Sequence, residues 1–108
     1  EIVALQRGVE QVAVEDSVRD YLLRLVRATR EHPSIRLGVS TRGALHLSRM
    51  AQARALSQGR DFVLPEDVKA LASPVLAHRL LLDTRARYAG ADKAELLREI
   101  VSRVAVPR

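Results

Sequence analysis

The stretch that decides the fold is Gly38-Val39-Ser40-Thr41-Arg42-Gly43-Ala44, which leads into a segment rich in small residues. Gly38 frees the backbone before this segment. Ser40 is a strong N-cap candidate, because its hydroxyl can accept a hydrogen bond from an unpaired N–H of the first turn. Arg42 falls in that turn, where a cation opposes the positive end of the helix dipole. Two interpretations stay open: a solvated arginine, or an arginine that meets an anion supplied from outside this segment.

The helix that follows this stretch is predicted from about residue 41 to residue 58. Its alanines and other small side chains let a neighbouring helix approach closely, which favours a central position in the fold. Gly59 comes next, and a glycine there is typical of the left-handed residue that ends a helix. The sequence therefore predicts both boundaries of this element.

Another helix is predicted to start at Pro65, since proline is favoured at the first helical position. The acidic pair Glu66-Asp67 lies in its first turn and complements the helix dipole. These two side chains point about 100° apart, so they do not converge on one substrate atom as a general acid and base would. Leu64 is a poor N-cap, and another group must satisfy the first N–H groups. Ser73-Pro74 is predicted to close the helix.

Two amphipathic helices flank this central pair. The earlier one is capped by Glu15 or Asp16 and stopped by Pro33, and the last one starts at Asp92, with Glu95 completing a capping-box-like pattern. Apolar residues at helical spacing form the buried stripe of each. They are Val18, Tyr21, Leu22, Leu25 and Val26 in the first helix and Leu96, Leu97, Ile100, Val101 and Val104 in the last.

Extended structure is expected only locally. Residues 79–83 read as a buried strand or extended segment, which we place beside residues 12–14, and residues 2–8 are predicted to form a short helix. The expected fold class is thus mainly all-α, a helical bundle with at most one small two-stranded β pair. All 108 residues form one domain.

The composition bounds the function without choosing one. The formal net charge is +5, and arginine supplies nearly all of it, since Lys69 and Lys93 are the only lysines. Such a balance permits binding to nucleic acid, anionic surfaces or nucleotide phosphates. The absence of cysteine excludes disulfides and thiolate metal sites. No apolar run is long enough for a membrane span and no signal peptide is evident. The start at Glu1 indicates an excised piece.

Candidate catalytic and metal-binding groups are scarce. His32, His46 and His78 share no metal-ligand spacing, so we expect no metal site and ordinary polar or packing roles. Arg24, Arg27 and Arg30 are predicted to form an arginine-bearing face on the first long helix. That face is either solvated or a contact with a neighbouring subunit or an anionic partner.

The order and spacing of several motifs carry a family resemblance. Glu31-His32-Pro33 precedes the opening stretch, the segment from Gly59 to Leu71 follows it, and Val75-Leu76-Ala77-His78-Arg79 lies beyond. In this arrangement the chain resembles the C-terminal helical lid of MoxR-type AAA+ ATPases, from about Val9 to Val104. The resemblance implies a single lid domain over residues 1–108, with the ATPase core upstream and absent from this piece.

The same resemblance assigns the candidate site. It makes Arg42 the sensor-2 arginine, which reaches the terminal phosphate of the nucleotide, with Ser40 as the helix N-cap beside the site. Gly38 and Gly43 would allow close approach. The family usually has alanine directly after the arginine, and Gly43 weakens the helix start by about 0.5–1 kcal/mol.

The function implied by the resemblance is a nucleotide-sensing lid in an oligomeric, chaperone-like AAA+ ATPase. ATP with Mg²⁺ would be bound and hydrolysed only with the core, because this piece has no phosphate-binding glycine loop and no acidic strand end. Expected partners are its own core, neighbouring ring subunits and a von Willebrand factor A domain protein, in the cytoplasm. Two alternatives stay open: a basic helical nucleic-acid-binding domain, disfavoured by scarce lysine and no evident exposed aromatic platform, or a helical adaptor that never meets nucleotide.

Overall fold

A computed structural model describes Gly8 and residues 11–107 of the chain. The helix predicted for residues 2–8 lies, apart from Gly8, outside the described residues. The elements in chain order are α1 (Asp16–Glu31), β1 (Ile35–Leu37), α2 (Thr41–Ser57), α3 (Pro65–Leu76), a 3₁₀ turn (Ala77–Arg79), β2 (Leu81–Leu82), α4 (Thr84–Tyr88) and α5 (Lys93–Arg103). The predicted fold class is confirmed, since these elements form a helical bundle with one two-stranded sheet.

The four longer helices enclose the core. Helix α3 packs against α2 and α5, and α1 packs against α2, α5 and, through fewer residues, α3. The predicted stripe of α1 is buried, and the helix ends at Glu31, two residues before Pro33. In α2 the buried faces of Ala51 and Ala55 let α3 lie close, as the run of small residues predicts.

Most of the predicted helix boundaries are confirmed. Ser40 Oγ accepts a hydrogen bond from the Gly43 N–H at 3.2 Å, and Gly59 adopts a φ of 77° just beyond the end of α2. Pro65 occupies the first position of α3. Asp92 Oδ1 accepts a hydrogen bond from the Ala94 N–H at 3.1 Å and so caps α5. Local signals thus determine these boundaries.

The predicted end of α3 at Ser73-Pro74 is wrong. The helix continues through Pro74 to Leu76, although proline lacks the N–H that would bond the Ala70 carbonyl. Val75 and Leu76 are buried in the core, whereas Ala70 and Pro74 lie on the exposed side. Burial of the apolar last turn therefore outweighs the lost hydrogen bond. Ala70, whose carbonyl would have accepted that bond, lies on the exposed side, where water can reach it.

The predicted partner of the second strand is also wrong. β2 pairs antiparallel with β1, placing Ile35 opposite Leu82 and Leu37 opposite Leu81. Residues 12–14 instead lie beside 61–63, where the Ala13 N–H donates to the Asp61 carbonyl at 2.8 Å. The hydrophobic pattern indicates that a strand is half-buried, but it does not specify which backbone pairs with it.

None of the helices among the described residues has the length and apolar character to cross a membrane.

Candidate functional site

Arg42 lies in the first turn of α2, and its side chain is exposed to solvent. Within residues 11–107, no carboxylate forms an ion pair with it. The first turn of α2 contains no acidic residue either. A cation therefore stands unneutralised at the positive end of the helix dipole, which is the arrangement that an external anion would stabilise.

An open groove of about 680 Å³ lies beside this helix start. Its lining residues are Arg30, Arg36, Leu37, Gly38, Val39, Ser40 and Arg79. Three of the seven carry a guanidinium group and none carries a carboxylate. The groove therefore has one sign of charge, and the cap residue Ser40 lies in its wall.

The loop that forms this wall is held by the last turns of α1. The Val39 N–H donates to Thr29 Oγ1 at 3.0 Å, and Arg30 Nε donates to the Val39 carbonyl at 2.9 Å. The Thr29 hydroxyl in turn donates to the Val26 carbonyl at 2.6 Å, and both Thr29 and Val39 are fully buried. Both backbone groups of Val39 are therefore satisfied, which fixes the place where α2 begins. Sequence reasoning missed Thr29, although it continues the i, i+3, i+4 stripe from Leu25 and Val26.

The two glycines of the opening stretch have packing reasons inside the chain. A Cβ on Gly38 would lie 2.8 Å from two backbone atoms of α1, the amide nitrogen of Arg30 and the carbonyl carbon of Thr29. Only glycine therefore allows the loop to contact α1 so closely. A Cβ on Gly43 would lie 2.8 Å from Val39 Cγ1 and 3.3 Å from Arg79 Cδ. The close approach that the structure shows at both positions is to the chain's own residues. Their approach to a nucleotide stays a prediction.

A profile of the AAA lid domain matches residues 27–100, which contain the groove and the start of α2. The chain belongs to the AAA lid domain family.

Its relatives place this lid with MoxR-type AAA+ ATPases. It is 43% identical over 107 residues to the protein YeaC of Bacillus subtilis, covering 99% of the lid and 33% of that protein. It is 29% identical over 117 residues to Chaperone MoxR1 of Mycobacterium tuberculosis, covering 100% of the lid and 31% of that protein. Protein MoxR of Paracoccus denitrificans is 56% identical over 48 residues, covering 44% of the lid and 14% of that protein.

A solved structure has the same fold. A protein from Cytophaga hutchinsonii, described provisionally as an ATPase, superposes with a TM-score of 0.88 at 32% identity, covering 94% of the lid and 34% of that chain. The lid spans about a third of the length of this protein and of the two relatives that it matches from end to end.

The predicted arginine face of the lid divides into separate roles. Arg24 forms an ion pair with Asp20, with Nε 3.0 Å from Oδ2, and Arg30 holds the Val39 carbonyl and lines the groove. Arg27 is exposed. Whether this arginine-bearing face is solvated or contacts a neighbouring subunit or an anionic partner stays a prediction.

A second cluster of charges lies at the other end of α2, and sequence reasoning missed it. Asp67 is fully buried, and its carboxylate accepts hydrogen bonds from Arg60 at 2.7 and 2.8 Å and from Arg54. It also accepts the Leu64 N–H at 2.7 Å and so satisfies the backbone donor of the residue that precedes α3. These hydrogen bonds, Arg60 first, outweigh desolvation and lower the pKa of Asp67 to about 2. Its predicted role as a dipole-stabilising side chain is therefore only part of what it does.

Proposed function

We propose that this domain is the nucleotide-sensing lid of a MoxR-type AAA+ ATPase and that Arg42 contacts the terminal phosphate of bound ATP. The observation that carries the proposal is the exposed Arg42 at the start of α2, without a carboxylate partner in the described part of the chain and beside a groove lined by arginines. The resemblance of the Gly38–Ala44 stretch to the sensor-2 motif of the family supports the same role.

The chemistry of the contact explains how a lid can respond to nucleotide. A guanidinium donates charge-assisted, directional hydrogen bonds to phosphate oxygens. One such contact contributes about 1.5–3 kcal/mol, which shifts a two-state equilibrium about ten- to a hundredfold. Hydrolysis removes the terminal phosphate and with it this contribution. The lid angle would then depend on whether ATP or ADP is bound.

The ATPase core, the ring and the partners outside this domain are inferred from the family. ATP and Mg²⁺ would be held mainly by an upstream core, which would carry the phosphate loop and the acidic strand end. Neighbouring subunits of a ring would contact the lid. One relative is named a chaperone, and this supports a chaperone-like role in the assembly of other protein complexes. A von Willebrand factor A domain protein remains a predicted partner.

The decisive test compares Arg42→Ala, Arg42→Lys and Arg49→Ala in the full-length protein. Arg49 is exposed on the same helix, two turns further on, and its substitution removes the same charge. We expect Arg42→Ala to melt close to the parent, since the residue is exposed, and to lose at least about tenfold in ATPase rate. Arg42→Lys should recover part of the rate, because an ammonium lacks the bidentate fork.

Arg49→Ala should behave like the parent in both measurements. An Arg42→Ala variant that melts several degrees lower and hydrolyses ATP normally would show that Arg42 is structural. The sensor role would then be wrong.

A further inference from the structure

Arg79 lies across the first turn of α2, although it belongs to a distant part of the sequence. It ends the 3₁₀ turn Ala77–Arg79 that follows α3, and its side chain is exposed. If Gly43 carried a Cβ, that atom would lie 3.3 Å from Arg79 Cδ. Arg79 is also one of the residues that line the groove beside the start of α2. The Arg79 Cδ therefore lies against the start of α2, and the exposed residue forms part of the groove lining.

Gly43 is what makes room for this arrangement. An added Cβ would lie 2.8 Å from Val39 Cγ1, and Val39 cannot move aside easily because it is fully buried and both of its backbone groups are bonded to α1. The same Cβ would lie 3.3 Å from Arg79 Cδ, so the flexible Arg79 side chain would also have to shift by a few tenths of an ångström. Glycine after Arg42 thus weakens the start of the helix, but it lets Val39 and Arg79 pack closely against that start.

The charges in the groove indicate an anionic ligand. Arg36 and Arg79 form no ion pair with any carboxylate of residues 11–107, and Arg30 uses its Nε on the Val39 carbonyl. Guanidinium groups that share a groove repel one another, and a groove of one sign concentrates ions of the other sign. Arg42 adds a further positive charge at the adjacent helix start.

We propose that Arg79 is a second phosphate-binding arginine of the lid, positioned by Gly43. Its guanidinium contacts an oxygen of the polyphosphate whose terminal phosphate Arg42 contacts, so that two elements of the lid, the 3₁₀ turn and the start of α2, hold one nucleotide. This inference rests on the proposed function and extends it to a residue about forty positions further along the chain. Two guanidinium groups on neighbouring elements fit a polyphosphate better than a single carboxylate, because a polyphosphate offers several anionic oxygens.

The test measures nucleotide affinity in the full-length protein by calorimetry, with Mg²⁺ present. The probes are adenylyl imidodiphosphate, which is not hydrolysed, and adenosine, which has no phosphate. We expect Arg79→Ala to bind the triphosphate analogue about tenfold more weakly and adenosine unchanged. Arg79→Lys should recover part of the loss, and Gly43→Ala should weaken analogue binding less than Arg79→Ala does. Arg98→Ala, an exposed arginine on α5 outside the groove, is the charge-matched control and should bind like the parent.

The outcomes separate this inference from the proposed function. If Arg42→Ala weakens analogue binding and Arg79→Ala does not, Arg79 is no phosphate ligand and the sensor role of Arg42 stands. If neither variant weakens it, both proposals are wrong. Equal losses for the analogue and adenosine would show that Arg79 contacts a carboxylate of the core or supports the fold, and would overturn the inference. If Gly43→Ala binds the analogue as tightly as the parent does, Gly43 does not position Arg79 for binding.

Discussion

At the scale of single residues, Asp67 shows how one buried carboxylate can join three segments. It accepts hydrogen bonds from the last turn of α2 through Arg54, from the following loop through Arg60, and from the Leu64 N–H that precedes α3. A buried charge is tolerated only when such partners replace the water that it loses. The ion pairs are therefore what allows a charged residue to lie at the α2–α3 contact.

We expect the free energy of unfolding to fall when the pH is lowered from about 4 to about 2. The pKa of Asp67 is lowered from 3.8 to about 2, so its contribution is fully present above the unfolded value and disappears as the folded carboxylate becomes protonated. That contribution is about 2 kcal/mol at neutral pH. Urea unfolding at a series of pH values, followed by circular dichroism, measures it.

Asp67→Asn is the variant that isolates this effect. It should lower the free energy of unfolding at pH 7 by about 2–3 kcal/mol, because two arginines lose a buried anion. The stability lost between pH 4 and pH 2 should shrink by about the contribution assigned to Asp67. Asp20→Asn removes an equal charge from the exposed pair with Arg24 and should cost less than about 1 kcal/mol. Equal effects of the two substitutions would contradict the buried role of Asp67.

At the scale of elements, the boundaries that depend on local chemistry could be predicted from the sequence. The cap at Ser40, the left-handed Gly59 and the first-position Pro65 each depend on one or two neighbouring residues. The end of α3 and the partner of β2 could not be predicted, because each depends on what packs there from elsewhere in the chain. The same holds for the site. The sequence indicated Arg42, but only the fold brings Arg79 to the start of α2 and Thr29 to the loop that precedes it.

Helix α3 offers a matched test of how context decides the effect of a proline. Pro74→Ala should raise the free energy of unfolding by about 1–2 kcal/mol, because it restores a hydrogen bond to the Ala70 carbonyl while losing some rigidity of the unfolded chain. Pro65→Ala in the same helix should lower it by a few tenths of a kcal/mol, roughly, since proline at the first position is favourable. Thermal and urea unfolding of both variants measure the signs. A Pro74→Ala variant less stable than the parent would show that the core requires the proline geometry of the last turn.

At the scale of the whole molecule, the formal charge of +5 is less informative than its placement. Two of the three aromatic side chains are exposed, Tyr88 of α4 by 89% and Phe62 of the loop before α3 by 41%. Proteins that bind single strands stack successive bases on aromatic side chains, and these two residues lie in separate segments of the chain. The groove beside the start of α2, in contrast, is lined by three arginines and, among the described residues, by no carboxylate. With few aromatic side chains to stack bases, this placement favours a compact phosphate ligand such as a nucleotide over a single strand.

Ser40 allows the folding role and the ligand role of the groove to be separated in the full-length protein. Asp and Asn cap a helix about as well as Ser, so Ser40→Asp and Ser40→Asn should both melt close to the parent. Aspartate also places a carboxylate in the groove wall, where it neutralises the arginines and repels phosphate. We therefore expect Ser40→Asp to bind a non-hydrolysable ATP analogue about tenfold or more weakly than Ser40→Asn. The difference should shrink as the salt concentration rises, because mobile ions screen exposed charges. Calorimetry at two salt concentrations measures it, and equal affinities for the two variants would mean that phosphate does not enter the groove.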